Sequence, residues 1–492
     1  MRISGRRYRD EWFPNFYPAR KIGDDYIRIS RSGKAIVLTE QEDASIDEFY
    51  MEEELFLRLE KSSHILTPAN IQTAATELAQ WLSGTYDGPG LHIVVPTRRC
   101  NLSCTYCHMY PQPVSSSREI NDLDLSLIPK ICDFILSSPR KRLSVEFQGG
   151  EPFLNFPAIQ AAVLYLEDSN ACYNKILKFS IVSNLMVVTD QHLQFCRDHN
   201  IGISYTLNGP EHIHDLFRIT ATGSGSHAAV IKKIDYIKAN YPGLLASYPL
   251  CVITEHTAEQ LDGLIQYYYD LGFTDIGLIA LKNLGHARDR MHFDMREYLK
   301  HYFNVLDRIY EMNKTSPKPL TERMVRIALS KLLGNVNPLF IDWRNPIGYF
   351  TNSVIYDVDG EVLPADEARS LRDHFSVGNV RTDTYASLIE KKETFRTVNL
   401  SIRDRHPVCR ECAYNPYCGV SPVLHFSKTG SMAPEPNVSD ECLFTQGIFD
   451  WIFNKIAEDP LPLLRMLPEY ATTVTKLLAE SIASRMSDSV VD

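Results

Sequence analysis

Cys100-Asn101-Leu102-Ser103-Cys104-Thr105-Tyr106-Cys107 sets three cysteines at x3 and x2 spacing directly after an apolar run, Leu91-His92-Ile93-Val94-Val95-Pro96. The run reads as a buried strand, and a loop leaving its end can bring three thiolates onto one face of a metal centre. No fourth cysteine lies nearby. A structural zinc site wants four protein ligands, whereas a [4Fe–4S] cube held by three thiolates keeps one iron open to a substrate. His108 adjoins Cys107 and would strain to reach the same ion. The spacing therefore favours the open cluster over a zinc knuckle.

At 492 residues the chain has room for roughly two to four domains and a large core. A net charge of −10 without a long basic tract argues against nucleic acid as a partner. The N-terminal arginines are followed by no apolar segment of signal-peptide type, and no apolar run reaches the length of a membrane span. Seven of the eleven cysteines fall in two ligand-like groups. That pattern favours metal chemistry in a reducing, cytoplasmic compartment over disulfides. Cys132, Cys172, Cys196 and Cys251 stand in apolar surroundings and are expected in the core.

The first 88 residues read as a small α+β module of winged-helix-like type. Asp25 to Leu38 alternates around Ser32-Gly33, as a hairpin does. Helical patterns follow over Ile46–Lys61 and Pro68–Leu82, the second stopping at Gly84. Such a module offers a strand edge to an extended peptide, or serves only as a scaffold. Residues 89–290 then alternate strand and helix. Strands are expected at Leu91–Val95, Leu143–Phe147, Lys178–Val182, Ile201–Thr206, Leu250–Thr254 and Asp275–Ala280. Six βα units in sequence predict an α/β architecture, a parallel sheet curled into a barrel with helices outside. Chemistry in such barrels collects at the C-terminal strand ends. The cysteine loop follows the first strand, Gly149-Gly150-Glu151-Pro152 the second, Ser183-Asn184 ends the third and Asn208-Gly209-Pro210 follows the fourth. Two glycines let the backbone approach a ligand closely, and Glu151 at a strand mouth could bind a ligand ammonium.

Cys-x3-Cys-x2-Cys with an aromatic before the last cysteine, followed by Gly-Gly-Glu-Pro, resembles the radical S-adenosylmethionine (SAM) superfamily. The resemblance implies a partial (β/α)6 barrel and a [4Fe–4S] cluster on Cys100, Cys104 and Cys107, with SAM chelating the open iron. It further implies that Gly149, Gly150 and Glu151 meet the methionine ammonium, that Tyr106 lies near the adenine, and that Ser183, Asn184, Ser204 and Arg218 contact SAM. Asn208 stands where many relatives carry an acid, so no acid role carries over.

Helical patterns at Asp294–Asn313 and Thr321–Leu333 form an expected linker, residues 291–345. In 346–445, Cys409-x2-Cys412-x5-Cys418 stands in a loop-rich stretch and Cys442 follows. Spacing alone permits a four-cysteine zinc site. In context the stretch resembles the SPASM domain of radical SAM peptide maturases, which usually holds two auxiliary [4Fe–4S] clusters. The family expects a cysteine five positions after the glycine of an Asp-Gly turn; after Asp359-Gly360 that position is Ala365. No cysteine lies between Cys418 and Cys442. The resemblance thus implies one auxiliary cluster, on Cys409, Cys412, Cys418 and Cys442. Residues 446–492 are expected to form C-terminal helices.

The narrowest resemblance is to the maturases of His-Xaa-Ser systems, the HxsB family. It covers the N-terminal hairpin module, Leu91–Tyr110, Asp366-Glu367-Ala368-Arg369 and Tyr417-Cys418-Gly419. It implies an enzyme that cleaves SAM to a 5′-deoxyadenosyl radical and abstracts hydrogen from a ribosomally made peptide or small protein. Flavodoxin or ferredoxin as electron donor and a second maturase complete the expected partners. Asp366, Glu367 and Arg369 are substrate-side candidates, each also readable as part of a surface charge cluster. Two alternatives remain. One is a sulfatase-maturase-like enzyme making formylglycine; the other is a non-catalytic iron–sulfur or zinc protein that presents a peptide surface.

Overall fold

The computed structural model describes residues 6–7, 12–333, 341–433 and 439–467. At its N-terminus three antiparallel strands, β1 (Arg20–Ile22), β2 (Asp25–Ile29) and β3 (Ala35–Leu38), pair in that order. The hairpin between β2 and β3 is the expected one. The helix expected over Ile46–Lys61 is instead two, Glu40–Asp47 and Glu53–Lys61. The first starts early because Thr39 and Glu42 form a reciprocal cap. It cannot run on because Phe49 takes a left-handed φ of 58° and Tyr50–Met51 pairs with Arg6–Arg7.

The barrel strands are β4 (Leu91–Val94), β5 (Arg142–Phe147), β6 (Ile176–Ser183), β7 (Ile201–Tyr205), β8 (Leu250–Ile253) and β9 (Asp275–Ala280). The parallel pairs β4–β5, β5–β6 and β6–β7 run in chain order, single parallel bridges link the β7 region to the start of β8, and β8 pairs with β9. Their period-2 pattern sorts the faces. Val145, Phe147, Phe179, Ile181, Ile201 and Ile203 pack under the helices. Glu146, Ser180 and Ser204 face the barrel interior, where Ser180 Oγ donates to Glu146 Oε2 at 3.0 Å. The helix Ile128–Leu136 buries Ile128, Ile131, Cys132 and Ile135, and Phe156–Tyr173 buries Ile159, Ala162, Val163 and Leu166. Both follow the 3.6-residue period. Cys132, Cys196 and Cys251 are core residues, but Cys172 is exposed, because it falls on the solvent side of its helix.

The segment after the barrel is built into it. The helix Met295–Thr315 is followed by β10 (Thr321–Glu322), which extends the sheet beside β9. The next helix therefore begins at Arg323 rather than Thr321. Glu322 fixes that start by accepting from Met324 N at 2.7 Å and Val325 N at 3.0 Å. From the C-terminal region, β11 (Ser353–Tyr356) pairs in parallel with β4, and β12 (Glu361–Leu363) and β13 (Gly378–Asn379) add antiparallel strands outside it. Helices Asp440–Glu458 and Leu461–Leu464 follow; the rest of the expected C-terminal helical stretch, 468–492, lies outside the described residues.

The N-terminal hairpin is buried at its tip. A Cβ on Gly33, at φ +78°, would meet the Trp81 ring at 2.7 Å. Tyr417 donates its hydroxyl to Gly33 O at 2.7 Å, with its ring 6.1 Å from that of Trp81. Arg20 of β1 pairs with Asp450, its Nε to Oδ1 at 3.0 Å. Ile22, Ile27, Ile29 and Trp81 belong to the same apolar cluster as the barrel. These residues join the module to the core shared by barrel and C-terminal region, while Trp12, Leu38, Ile46, Met51, Leu55, Leu59 and Ile65 form a separate apolar cluster within the module. No helix among the described residues is long and apolar enough to cross a membrane.

The β4–β11 junction carries a pH signature. His92 is fully buried between Tyr356 OH, 3.0 Å from Nδ1, and Pro89 O, 3.1 Å from Nε2. Burial pushes its pKa down to about 3. The folded chain thus keeps His92 neutral while the unfolded chain protonates it below about pH 6.5. Stability is therefore lost as pH falls from about 6.5 towards 3, by about 2–3 kcal/mol at pH 4.5 from this residue. His92→Phe should be less stable near neutral pH yet lose less on acidification, as read from denaturant melts at the two pH values.

Candidate active site

The cysteine loop is clamped at its root. Arg99 is 1% exposed and forks onto Asp122, Nε to Oδ1 at 2.8 Å and Nη2 to Oδ2 at 2.7 Å. Arg98 does the same to Asp357 at 3.1 and 2.8 Å and also reaches Asp359. The two glycines of the next loop press against this root. A Cβ on Gly149 would lie 2.3 Å from Thr97 O, and one on Gly150 would lie 2.2 Å from Arg99 O. That closeness leaves Gly150 N 2.9 Å from Thr97 O and Glu151 N 2.8 Å from Arg99 O. Their small size serves backbone-to-backbone packing.

Beyond the root, Ser103 N donates to Ile219 O at 2.7 Å and Thr105 N to Phe217 O at 3.1 Å. Ala287 N donates to Cys107 O at 3.2 Å. Gly285 has φ +52°, and a Cβ there would strike His108 C at 2.3 Å. Cys100, Cys104 and Cys107 are all half-buried. Leu102 N approaches Cys100 Sγ at 3.4 Å, and Asn184 Nδ2 does so at 3.8 Å. Burial pushes the Cys107 thiol up to about 11, with Cys104 adding to it, and pushes Cys100 up further, Glu151 adding. Loading a metal group there releases protons, since the thiolate is the ligand. Among the described residues no three His, Cys, Asp or Glu side chains converge on a single ion. A cubane asks for less convergence, because each thiolate takes its own iron, so the set fits a cluster better than one metal ion. His108 turns away, its Nε2 2.8 Å from Asp366 Oδ2.

Glu151 is fully buried and points inward. Its Oε1 accepts from Ser183 Oγ at 2.9 Å and its Oε2 from Asn184 N at 2.8 Å. Burial raises its pKa to about 7, against those hydrogen bonds. Its carboxylate thus orders the loop after β6, and Asn184 carries that order on to Asn101 Oδ1 at 2.8 Å. Tyr106 OH accepts from Arg218 Nη1 at 2.8 Å and Asn208 Nδ2 at 3.0 Å. Arg218 is buried, and its Nε has no hydrogen-bond partner among the described residues. Ser204, opposite Val182, faces the barrel interior.

The substrate-side candidates form one network. Asp366 joins His108 and Arg369, the latter at 3.1 Å. Burial works to raise its pKa, but His108 and then Arg369 hold it well below the carboxylate range. Glu367 binds Lys282, whose Nζ is also 3.9 Å from Asp342. Burial opposes the Lys282 charge, yet Glu367 and then Asp342 raise its pKa. Lys282 lines a cavity of about 370 Å³ with Leu278, Met295, Trp343, Leu424 and Phe444. Gly419, Ser439 and Glu441, neighbours of Cys418 and Cys442, also line it. The cavity shares Gly419 and Ser439 with the hole lined by the C-terminal cysteines, and the contact chain Lys282, Glu367, Asp366, His108 leads from its wall to the residue beside Cys107.

Cys409, Cys412, Cys418 and Cys442 all line one hole of about 30 Å³. Cys442 sits in the first turn of Asp440–Glu458, its N donating to Ser439 Oγ at 3.0 Å. Burial pushes the Cys409 and Cys442 thiols up to about 12, with Cys418 adding to each. Four thiols facing one hole suit a group that takes four thiolates. Ala365 is buried at 2% exposure. The Arg99–Asp122 clamp, the cavity and Arg403 beside the four cysteines were missed by sequence reasoning. No spacing or period marks them, since each joins residues far apart in the chain.

Residues 94–268 match the model of the radical SAM superfamily. The cysteine-type anaerobic sulfatase-maturating enzyme of Clostridium novyi is 24% identical over 65% of this chain and 83% of its own. The solved structure of anSMEcpe with bound AdoMet has a TM-score of 0.63, at 20% identity over 75% of this chain and 98% of that one. That of SuiB from Streptococcus suis bound to precursor peptide SuiA has a TM-score of 0.52, at 14% identity over 85% and 97%. The structural likenesses establish the fold.

The close approach of the two loops gives a direct test. Gly150→Ala must push Arg98–Arg99, and with them Cys100, away from their place. If the three cysteines carry a four-iron cluster, iron at that site after anaerobic reconstitution should fall from roughly four per chain to below about one, while far-UV circular dichroism stays native.

Proposed function

We propose that this chain, a radical SAM enzyme, modifies a peptide held in the cavity between its two cysteine sets. The reading is supported by the cavity sharing Gly419 and Ser439 with the four-cysteine hole, and by the contacts that run from Lys282 in its wall through Glu367, Asp366 and His108 towards Cys107. Cys100, Cys104 and Cys107 ligate the SAM-binding [4Fe–4S] cluster in this reading, and Cys409, Cys412, Cys418 and Cys442 an auxiliary one. When bound, cluster and SAM supply a one-electron cleavage that yields a 5′-deoxyadenosyl radical able to take hydrogen from an unactivated C–H bond.

The chain's own residues do the rest. Gly149 and Gly150 fix the cysteine loop, and Glu151 orders Ser183 and Asn184 at the mouth of the barrel. Tyr106, held by Arg218 and Asn208, offers a rigid ring beside the second and third cysteines, and Ser204 a hydroxyl on the interior wall. These are the groups that meet SAM. Leu278, Met295, Trp343 and Phe444 keep water from the target carbon; Lys282 and Asp342 give the cavity a polar wall, with Glu367 and Asp366 behind it holding Lys282, His108 and Arg369. The peptide is genetically encoded and ribosomally made, and the electron comes from a small donor of flavodoxin or ferredoxin type. The narrower assignment, a His-Xaa-Ser-system maturase working beside a second maturase, is supported by Leu91–Tyr110, Asp366–Arg369 and Tyr417–Gly419. The N-terminal β3 edge is the candidate site for a leader segment.

A second reading is favoured by the Clostridium novyi relative, which spans more than half of this chain. It is formylglycine formation on a sulfatase-like protein. Product mass separates the two: formylglycine formation replaces a cysteine sulfur by oxygen with loss of two hydrogens, or removes two hydrogens from serine.

Anaerobically reconstituted protein with dithionite and SAM should release 5′-deoxyadenosine, and Cys104→Ala should cut this at least about a hundredfold, a loss of the order seen when a catalytic group is removed. Co-expression with small open reading frames flanking the gene should give one peptide with a changed mass, and Cys104→Ala should abolish the change. Iron-loaded wild type that never cleaves SAM would refute the enzyme reading.

A further inference from the structure

Arg403 lines the same hole as the four C-terminal cysteines. It is 3% exposed, and its Nη1 donates to the carbonyl of Cys418. Its Nε has no hydrogen-bond partner among the described residues, and no described carboxylate lies within ion-pair distance of it. Its placement is fixed by Asn345, whose Oδ1 accepts from Arg403 N at 2.9 Å. A guanidinium keeps its proton. A buried charge without a partner is costly unless a counter-charge faces it. The cysteine set faces Arg403 across the shared hole, with the guanidinium Nη1 on the Cys418 carbonyl. Two other cations stand near the set: Arg20, which is matched by Asp450, and Lys331, whose Nζ donates to the Trp343 carbonyl.

We propose that Arg403 is the fixed counter-charge of the group bound by Cys409, Cys412, Cys418 and Cys442, and that it raises the potential at which this group accepts an electron. The proposal rests on the auxiliary-cluster reading above. A four-thiolate cubane is anionic and gains one more negative charge on reduction, with no bond made or broken and no proton moved. A neighbouring positive charge therefore favours the reduced form over the oxidised one.

The test uses the full chain carrying Cys100→Ala, Cys104→Ala and Cys107→Ala, so that only the C-terminal site titrates, followed by electron paramagnetic resonance against dithionite with mediators. Arg403→Gln should lower the reduced-to-oxidised ratio at least roughly tenfold at the poise where the parent is half reduced, which is about 59 mV for a one-electron couple. Arg403→Lys, which keeps the charge, should stay within about threefold of the parent. A Gln variant that titrates like the parent, or a Lys variant that shifts as far as Gln, would overturn the proposal. If Gln fails to hold iron while Lys holds it, the charge is needed for assembly and the counter-charge role stands. If neither holds iron, the side chain serves by shape and the proposal falls. A parent without iron at these cysteines, or with zinc in its place, would instead refute the cluster reading itself.

Discussion

The arrangement at the barrel mouth depends on one steric constraint. The carbonyls of Thr97 and Arg99 occupy the space where side chains of Gly149 and Gly150 would otherwise stand. Only glycine allows the two loops to close to hydrogen-bond distance. That closure carries the cysteine loop on one side and Glu151 on the other. Glu151 in turn holds Ser183 and Asn184, and Asn184 returns to Asn101 and approaches Cys100. Three strand ends are thus locked into one ring of contacts that passes Cys100. The Arg99–Asp122 and Arg98–Asp357 forks anchor that ring to the segments on either side of it.

A second set of contacts joins this ring to the rest of the chain. The pairing of β11 with β4 places the turn at Asp359 against Arg98, and the segment at Asp366 against His108. The C-terminal region is therefore continuous with the barrel sheet, and the cavity forms where it folds over the end of β9. The N-terminal hairpin closes the assembly from behind, through Trp81 and Tyr417. Tyr417 adjoins Cys418, so the hairpin tip is held by the residue next to the four-cysteine hole.

The barrel was legible because its strands are long, apolar and regularly spaced; the six segments expected from period and punctuation are the six observed. The cysteine loops were legible by spacing, and Gly-Gly-Glu by its place after a strand. Less legible were features that depend on distant partners. The split at Phe49 needed the pairing of Tyr50–Met51 with Arg6–Arg7. The start at Arg323 needed β10 to find β9. The glycines were read as letting the backbone approach a ligand and Glu151 as a group that could bind an ammonium; the contacts with the Thr97 and Arg99 carbonyls and with Ser183 and Asn184 were not foreseen. Sequence shows which residues are small or charged, but what they touch is set by topology.

The central claim is that the substrate lies between the two cysteine sets. It is tested most directly by photo-cross-linking. A benzophenone side chain is placed at Phe444 in the cavity wall, and in a second protein at Phe395, which is 68% exposed on the surface. The account predicts that the modified peptide is captured at position 444 and not at 395. Capture at 395, or at neither position by protein that still modifies the peptide, would contradict it.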